Sequence, residues 1–486
     1  MAKELSKNSK LESKSKSRKR KTSYSNLIAE YPNLWENRSE DDFVHTHEFA
    51  EEYKAFIDSS KTEREFVINA IEAAVSLGYQ DVEQVKTLVP GQKVYQSIKG
   101  KGLMLAVIGK EDISSGMHIL GAHIDSPRLD LKPNPIYEDS DLCFFKTHYY
   151  GGIKKYQWMT IPLAIHGVIV RKDGSTVSIC IGENDDDPIF YITDLLPHLG
   201  QEQMKKTASE FVKGEDLQLL IGGKPMKDCD DSDAVKLNIL SLLNEEYGIT
   251  EKDFVSAELE VVPAFKSRDV GFDRAFIAGY GHDDKVCAYP ALMSIFAQES
   301  PKHTVICMLS DKEEIGSYGN SGAQSRLYEN FLVEVFVKVN GFYDELLYRK
   351  TIANTKMLSA DVSNAYDPKF ASVSDRNNTA YLSKGIKMEK YTGSRGKSGA
   401  SDANSEFFAK IIRVFQENNI PWQTGELGKV DAGGGGTISA YLAKLGMEVI
   451  DCGVPVLSMH APYEVVSKID LYFTYLAYKA FIENMD

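Results

Sequence analysis

The amino-acid sequence predicts an α/β fold in which one catalytic domain is interrupted by a β-rich insertion. Apolar runs typical of buried strands occur at 103–107, 117–120 and 303–309, and helical spacing of apolar residues extends over 39–77. From about 127 to 264 the pattern changes to short strand-like segments separated by acidic loops. These features favour a sheet covered by helices, with a smaller β-structure inserted into the same chain.

The chain length supports more than one structural unit. Its 486 residues exceed what a single hydrophobic core usually fills. We therefore expect four segments: a basic tail over 1–22, a first catalytic part over 23–126, the insertion over 127–266 and a second catalytic part over 267–486. The tail has nine Lys or Arg and almost no apolar side chains, so we expect it to be disordered.

Composition narrows the possible partners and compartment. The formal net charge is −14, and the basic tail makes the remainder more acidic still, so the folded body is not expected to bind nucleic acid. No apolar run is long enough to span a bilayer, and no signal-peptide pattern opens the chain. Six scattered cysteines without a CxxC pair favour reduced thiols and a cytoplasmic location.

Two adjacent acids, Glu313 and Glu314, follow the apolar run at 303–309. Neighbouring residues on a strand point to opposite faces, so both carboxylates can reach one site only where the chain turns, as Gly316 permits. One of them could bind a metal while the other handles protons. The alternative is a solvated acidic corner, and the pair by itself does not decide between them.

Histidine and carboxylate residues recur at the ends of other apolar runs. Open α/β sheets gather their ligands outside the carboxyl ends of the strands. The additional candidates are His123, Asp125, Asp283, Asp284, Asp361 and His460. Taken singly, His460 has the alternative of a structural histidine, and the acids have that of capping a turn or a helix.

The whole set suits a hydrolytic site with two metal ions. Imidazole and carboxylate are the usual zinc ligands where thiolates are not used. His123 and Asp125 are two residues apart in an extended segment, so they share a face. One carboxylate would have to bridge the two ions, and either Asp283 or Asp284 can supply it.

Five motifs in this order resemble those of the aspartyl aminopeptidase and vacuolar aminopeptidase I family of dinuclear zinc exopeptidases. They are Gly-Ala-His-Ile-Asp-Ser-Pro at 121–127, His-Asp-Asp-Lys at 282–285, Asp-Lys-Glu-Glu-Ile-Gly-Ser at 311–317, Ser-Ala-Asp-Val at 359–362 and Val-Pro-Val-Leu-Ser-Met-His at 454–460. The resemblance extends from about Ser23 to the C-terminus. It implies a three-layer zinc-exopeptidase-like catalytic domain and an inserted domain for dimerisation and assembly, commonly into a tetrahedral dodecamer.

The resemblance also implies a role for each site residue. The implied ligands of two divalent ions, zinc or alternatively cobalt or manganese, are His123, Asp283 as the bridge, Glu314, Asp361 and His460. Asp125 would orient the metal that His123 binds, and Glu313 would be the general base. His198, in Pro-His-Leu, resembles a histidine that the family sends into a partner subunit's site.

These assignments predict a metal-dependent aminopeptidase that removes single residues from the N-termini of peptides. A dinuclear deacylase of N-acyl amino acids is the alternative among enzymes, and a catalytically idle assembly or cargo-binding protein is the alternative outside them. The sequence leaves open the side-chain preference for the residue removed. A cationic, glycine-rich segment containing Arg395 and Lys397 is the one feature that favours acidic residues.

Overall fold

A computed structural model describes residues 27–36, 38–229 and 232–486. The basic tail predicted over 1–22 lies outside the described residues. The helices are α1 (Glu40–Asp58), α2 (Glu63–Ser76), α3 (Ala208–Phe211), α4 (Ala234–Tyr247), α5 (His282–Phe296), α6 (Arg326–Asn340), α7 (Glu345–Asn354), α8 (Ser405–Glu417), α9 (Ser439–Ala443) and α10 (Lys468–Asn484).

Within these described ranges the strands form three larger sheets and one two-stranded ribbon. They are β1 (Gln80–Asp81), β2 (Lys93–Ile98), β3 (Gly102–Val107), β4 (His118–His123), β5 (Arg128–Asp139), β6 (Leu142–Tyr150), β7 (Leu163–Val170), β8 (Thr176–Ile181), β9 (Leu219–Gly222), β10 (Glu258–Pro263), β11 (Arg268–Val270), β12 (Phe276–Gly279), β13 (Val305–Ser310), β14 (Lys356–Ser359), β15 (Ser363–Asn364), β16 (Ile386–Glu389), β17 (Gly393–Ser394), β18 (Trp422–Thr424), β19 (Gly434–Gly435), β20 (Glu448–Gly453), β21 (Pro455–Leu457) and β22 (Glu464–Ser467).

The largest sheet has nine strands in the order β1-β2-β3-β13-β4-β14-β20-β16-β18. Its central strands β13, β4, β14 and β20 are parallel, whereas β3 and β16 pair with them antiparallel. Along β3, Leu103, Leu105 and Val107 enter one hydrophobic core. Met104 and Ala106 enter a second core on the other face. The continuous apolar runs are therefore strands buried on both faces between helices, which confirms the predicted α/β class.

Two capped helices account for the helical spacing predicted over 39–77. Ser39 accepts a hydrogen bond from the Asp42 amide and Asp42 accepts one from Ser39, which forms a capping box at the start of α1. Thr62 and Glu65 form the same reciprocal pair at the start of α2. The start of each helix is thus set by side chains within three residues of it in the sequence.

A six-stranded sheet in the order β8-β7-β10-β5-β6-β9 is built entirely from residues between Arg128 and Pro263. It has its own hydrophobic core, which includes Trp158, Leu163 and Val261. The sheet lies inside the segment 127–266 that the sequence analysis assigned to an insertion. The division into domains stays a prediction, since a separate sheet and core do not establish independent folding.

A five-stranded sheet, β11-β12-β22-β21-β15, contacts α1, α5 and α10 and was not foreseen as a separate unit. It carries residues 455–467, including the turn that holds His460.

Among the described residues, no helix is both long and apolar enough to cross a membrane. Four cysteines, Cys143, Cys287, Cys307 and Cys452, are buried, as expected for thiols in apolar runs.

The buried imidazole of His118 makes the nine-stranded sheet sensitive to acid. Burial, together with the charges of His303 and Lys356, lowers the pKa of His118 to about 3. A histidine held neutral in the fold takes up a proton on unfolding below its ordinary pKa of about 6.5, so its contribution to stability is present above that pH and lost as the pH falls toward 3.

We predict that replacing His118 with Leu flattens the pH dependence of stability below pH ~6.5. The free energy of unfolding of the wild-type protein should fall, because of this one group, by up to about 1.4 kcal/mol per pH unit in that range. Apparent melting temperatures measured for both proteins above and below this pH would test it. Parallel curves for the two proteins would contradict the assignment.

Candidate metal centre

The predicted ligands converge at the carboxyl ends of the central parallel strands. His123 is the last residue of β4, Asp361 follows β14 by two residues, and Glu313 opens a short 3-10 turn after β13. These strands are neighbours in the sheet, so their ends bring together side chains that lie far apart in the chain.

Two other elements complete the cluster. Asp283 and Asp284 lie in the first turn of α5. His460 lies in the turn between β21 and β22, where its backbone takes a positive φ of 64°. Both elements cover the same edge of the nine-stranded sheet. The structure therefore gathers His123, Asp283, Glu314, Asp361 and His460 into two overlapping groups of possible metal ligands.

The first group comprises His123, Asp283 and Asp361. The imidazole Nε2 of His123 lies 3.1 Å from Asp283 Oδ1 and 3.9 Å from Asp361 Oδ1. Its Nδ1 lies 3.0 Å from the backbone carbonyl of Asp125, to which it can donate. That hydrogen bond fixes Nε2 as the atom that faces the carboxylates.

The second group comprises Asp283, Glu314 and His460. The Nε2 atom of His460 lies 3.2 Å from Asp283 Oδ2 and 3.5 Å from Glu314 Oε2. Its Nδ1 is 2.8 Å from the backbone carbonyl of Gly152, the same arrangement as at His123. Asp283 thus presents one oxygen to each imidazole, whereas Asp284 accepts a hydrogen bond at 3.4 Å from the backbone amide of His123.

The donor set fits divalent cations. Asp284 Oδ1 and Glu314 Oε1 are buried oxygens with no hydrogen-bond partner in the part of the chain that the structure describes. Burial raises the pKa values of Asp284, Glu314 and Asp361 well above the ordinary range, and neighbouring carboxylates such as Asp283 add to the effect. Carboxylates placed so close together repel one another unless cations or protons lie between them. Buried oxygens without partners beside two oriented imidazoles are what such ions would bind.

Glu313 is placed differently from Glu314. Its Oε2 atom is 4.0 Å from His123 Nε2, and it belongs to neither group of possible ligands. It lines the open cleft. Burial raises the pKa of Glu313 to about 7, with a further rise from the charges of Asp125 and Asp283. A carboxyl group with such a pKa can both accept and return a proton near neutral pH.

Asp125 connects the two glutamates to His123. Its Oδ1 accepts a hydrogen bond from the Glu313 amide at 3.1 Å, and its Oδ2 accepts one from the Glu314 amide at 3.2 Å. The hydroxyl of Tyr150 also donates to Oδ2, at 2.8 Å. Although burial opposes ionisation, the hydrogen bonds from His123 and Tyr150 lower the pKa of Asp125. Asp125 is therefore a fixed anion that positions the turn carrying both glutamates.

Sequence reasoning missed the supporting roles of Glu464 and Tyr150. Glu464 accepts hydrogen bonds from the amides of Asp283, at 3.0 Å, and His460, at 2.7 Å. Burial raises its pKa to about 8. Its position four residues after His460, at the start of β22, carried no signal of its own. Tyr150 and Gly152 likewise carry no signal of their own, and only contacts across the fold reveal that they touch the site.

A cleft of about 620 Å³ opens over these residues. The glycine-rich segment with Arg395 and Lys397 lines it, as does a second one at 433–436, and the two pair with each other as β17 and β19. Its charged wall contains Arg395, Lys397, Lys429, Glu389 and Glu426. The ammonium group of Lys397 lies 3.8 Å from the ring centre of Tyr391 and forms an ion pair with Asp402 at 3.2 Å. The cleft thus offers charges of both signs to a substrate.

His198 is not among the residues that line this cleft. It lies on an exposed stretch between β8 and α3. The structure of one chain therefore brings together all the predicted site residues except His198. Its assignment stays a prediction about a partner subunit.

Comparison with known proteins decides the family. The family model described as aminopeptidase I zinc metalloprotease (M18) matches residues 56–482. The chain belongs to the M18 aminopeptidase family. This result confirms the resemblance and the predicted metal-dependent aminopeptidase activity, and it does not favour the deacylase or the idle assembly protein.

Relatives within the M18 family match over nearly the whole chain. A probable M18 family aminopeptidase 1 from Clostridium acetobutylicum is 52% identical over 94% of this chain and 99% of its own length. A crystal structure of the M18 aminopeptidase from Thermotoga maritima has a TM-score of 0.91 at 43% identity, covering 94% of this chain and all of its own. A structure of an S. cerevisiae mApe1 dodecamer, at 20% identity and a TM-score of 0.73 over 92% of this chain and 98% of its own, shares the fold.

We predict that removing the hydroxyl of Tyr150 weakens the metal centre without unfolding the M18 domain. Tyr150→Phe removes one hydrogen-bond donor from Asp125, so the turn carrying Glu313 and Glu314 is held less firmly. Metal affinity measured by chelator competition should fall at least about tenfold, the usual effect of losing an outer hydrogen bond at a metal site.

The neighbouring exposed tyrosine provides the matched control. Tyr149→Phe removes a hydroxyl from the same strand at a side chain that is 42% exposed, so its metal affinity should equal that of the wild type. Equal metal affinities for Tyr150→Phe and Tyr149→Phe would mean that the hydroxyl of Tyr150 does not support the metal centre.

Proposed function

We propose that this M18 enzyme holds two divalent ions, zinc in the first instance, and releases single residues from the N-termini of peptides. The observation that carries the proposal is the position of Asp283, whose two oxygens face two separate histidines. His123 and Asp361 would complete one site, and Glu314 and His460 the other. Cobalt or manganese would suit the same oxygen and imidazole donors.

The chain's own residues have distinct tasks in this reaction. When bound, the ions would polarise the scissile carbonyl and make water more acidic. Glu313 takes a proton from the attacking water and returns it to the leaving amine, which suits a carboxyl group that lies beside both ligand groups and belongs to neither. Asp125 keeps Glu313 in place through its amide, so the base does not need to reorganise during the reaction.

Peptides are the proposed substrates, and the free amine is the feature that selects them. Buried carboxylates at the base of the cleft attract an ammonium group, whereas an N-acylated substrate gains nothing there. Glu313, Glu314 and Asp361 all line this region. The walls of the cleft beyond them carry both acidic and basic side chains, so the preferred first residue is left open.

Homo-oligomerisation is part of the proposal. The mApe1 structure named above is a dodecamer, and the six-stranded sheet would supply the dimer contact, as expected from the family resemblance. In such a dimer His198 would reach the partner's site and stabilise charge in the transition state.

Metal content tests the shared role of Asp283. Asp283→Ala should lose both ions, because each ligand group includes this residue. His460→Ala and Asp361→Ala should each lose one ion, because each belongs to a single group. Elemental analysis of the purified variants, after dialysis against a fixed low concentration of zinc, provides the measurement. Loss of only one ion in Asp283→Ala would remove the bridging role.

Glu313→Gln tests the general base. The substitution keeps the side-chain volume and removes the proton-accepting carboxylate, so turnover should fall about 10²- to 10⁴-fold. Metal content should equal that of the wild-type protein, because Glu313 belongs to neither ligand group. The matched control is Glu314→Gln, which should lose metal as well as activity. Near-normal turnover in Glu313→Gln would assign the proton transfer to another group.

A further inference from the structure

A third group of side chains that could hold a metal ion lies away from the cleft, where α2 meets the six-stranded sheet. It comprises Glu65 on α2, His166 on β7 and Cys180 on β8. Their donor atoms all lie within 4.8 Å of one another. None of these residues lines the catalytic cleft, and the reaction described above uses none of them.

The strand register creates half of this group. His166 pairs directly with Cys180 across antiparallel β7 and β8, so the two side chains stand side by side on one face of the sheet. The Cys180 sulfur is 3.9 Å from His166 Nδ1. Glu65 reaches the same nitrogen from α2, with its Oε1 at 2.7 Å. Three elements thus direct a thiol, an imidazole nitrogen and a carboxylate oxygen toward one point.

The far side of the imidazole is held by an outer hydrogen bond. His166 Nε2 lies 3.0 Å from Glu183 Oε1, and the ammonium group of Lys61 holds that same oxygen. Lys61 also donates to the Pro263 carbonyl at 2.7 Å. A carboxylate behind a ligating histidine fixes the ring orientation and makes the free nitrogen a better donor. His166 is buried whereas Cys180 is exposed, so one side of the group opens to solvent.

We propose that Glu65, His166 and Cys180 form an additional binding site for a thiophilic divalent cation such as Zn²⁺. Thiolate, imidazole and carboxylate are all zinc ligands, and the exposed side leaves a fourth position for water. Charge supports the assignment. With Cys180 as thiolate, the site has three negative charges, which are those of Glu65, Cys180 and Glu183. The ammonium group of Lys61 and a divalent cation together supply three positive charges. The site joins helix α2, which packs on the nine-stranded sheet, to β7 and β8 of the six-stranded sheet.

Cobalt provides a probe that separates this site from the catalytic one. The proposed catalytic ligands are oxygen and nitrogen donors only, so a thiolate-to-cobalt charge-transfer band in the near ultraviolet reports a cysteine ligand. The full-length protein loaded with Co²⁺ should show this band. Cys180→Ser should lose the band and one cobalt ion per chain, and should keep its aminopeptidase activity.

Two further variants complete the test. Cys229→Ser changes a different cysteine of the 127–266 segment and should retain both the band and the ion. Glu183→Gln leaves the three ligands in place but weakens the hydrogen bond that supports His166. The affinity of this site for Co²⁺, measured by titration of the charge-transfer band, should therefore fall roughly ten- to hundredfold. Absence of the band in the wild type, or equal cobalt content in wild type and Cys180→Ser, would overturn the proposal. In that case the cluster is an ion-paired junction of His166 with its two glutamates.

Discussion

The contact on which the centre depends is the hydrogen bonding of one carboxylate to two histidines. Asp283 lies in the first turn of α5, His123 ends a strand of the nine-stranded sheet, and His460 belongs to a turn of the five-stranded sheet. Three separately built elements therefore meet at a single side chain. The amide of Asp283 is itself held by Glu464 from β22, so the position of this carboxylate is fixed from both its backbone and its oxygens.

Electrostatics explains why hydrogen-bond donors surround the buried carboxylates of the centre. Several carboxylates are buried within a few ångströms of one another, and burial disfavours the charged form of each. Ordered donors offset part of this cost. The backbone amides of Glu313 and Glu314 and the hydroxyl of Tyr150 all point at Asp125. A fold that positions such a site needs rigid strands beneath it, and the central strands are buried on both faces.

The sequence allowed the α/β class to be predicted, because apolar runs and helical spacing are local properties of the chain. It also identified His123, Asp283, Glu313, Glu314, Asp361 and His460 as one set, since acids and histidines rarely end buried strands by chance. Their separate roles were carried by the resemblance alone. Tyr150 and Glu464 could not be assigned, because their tasks arise from contacts with residues far away in the chain. The five-stranded sheet escaped prediction because its strands are short.

The attachment points of the six-stranded sheet have a mechanical consequence. The chain enters that sheet at Arg128, three residues after Asp125, and leaves it at Pro263, ahead of β11 and β12, which lead into α5 and Asp283. The first connection therefore ends beside the centre, whereas the second reaches it through two strands of the five-stranded sheet and the start of α5. A displacement of the six-stranded sheet would thus reach Asp125 through only two intervening residues of backbone, and Asp283 only by way of the five-stranded sheet.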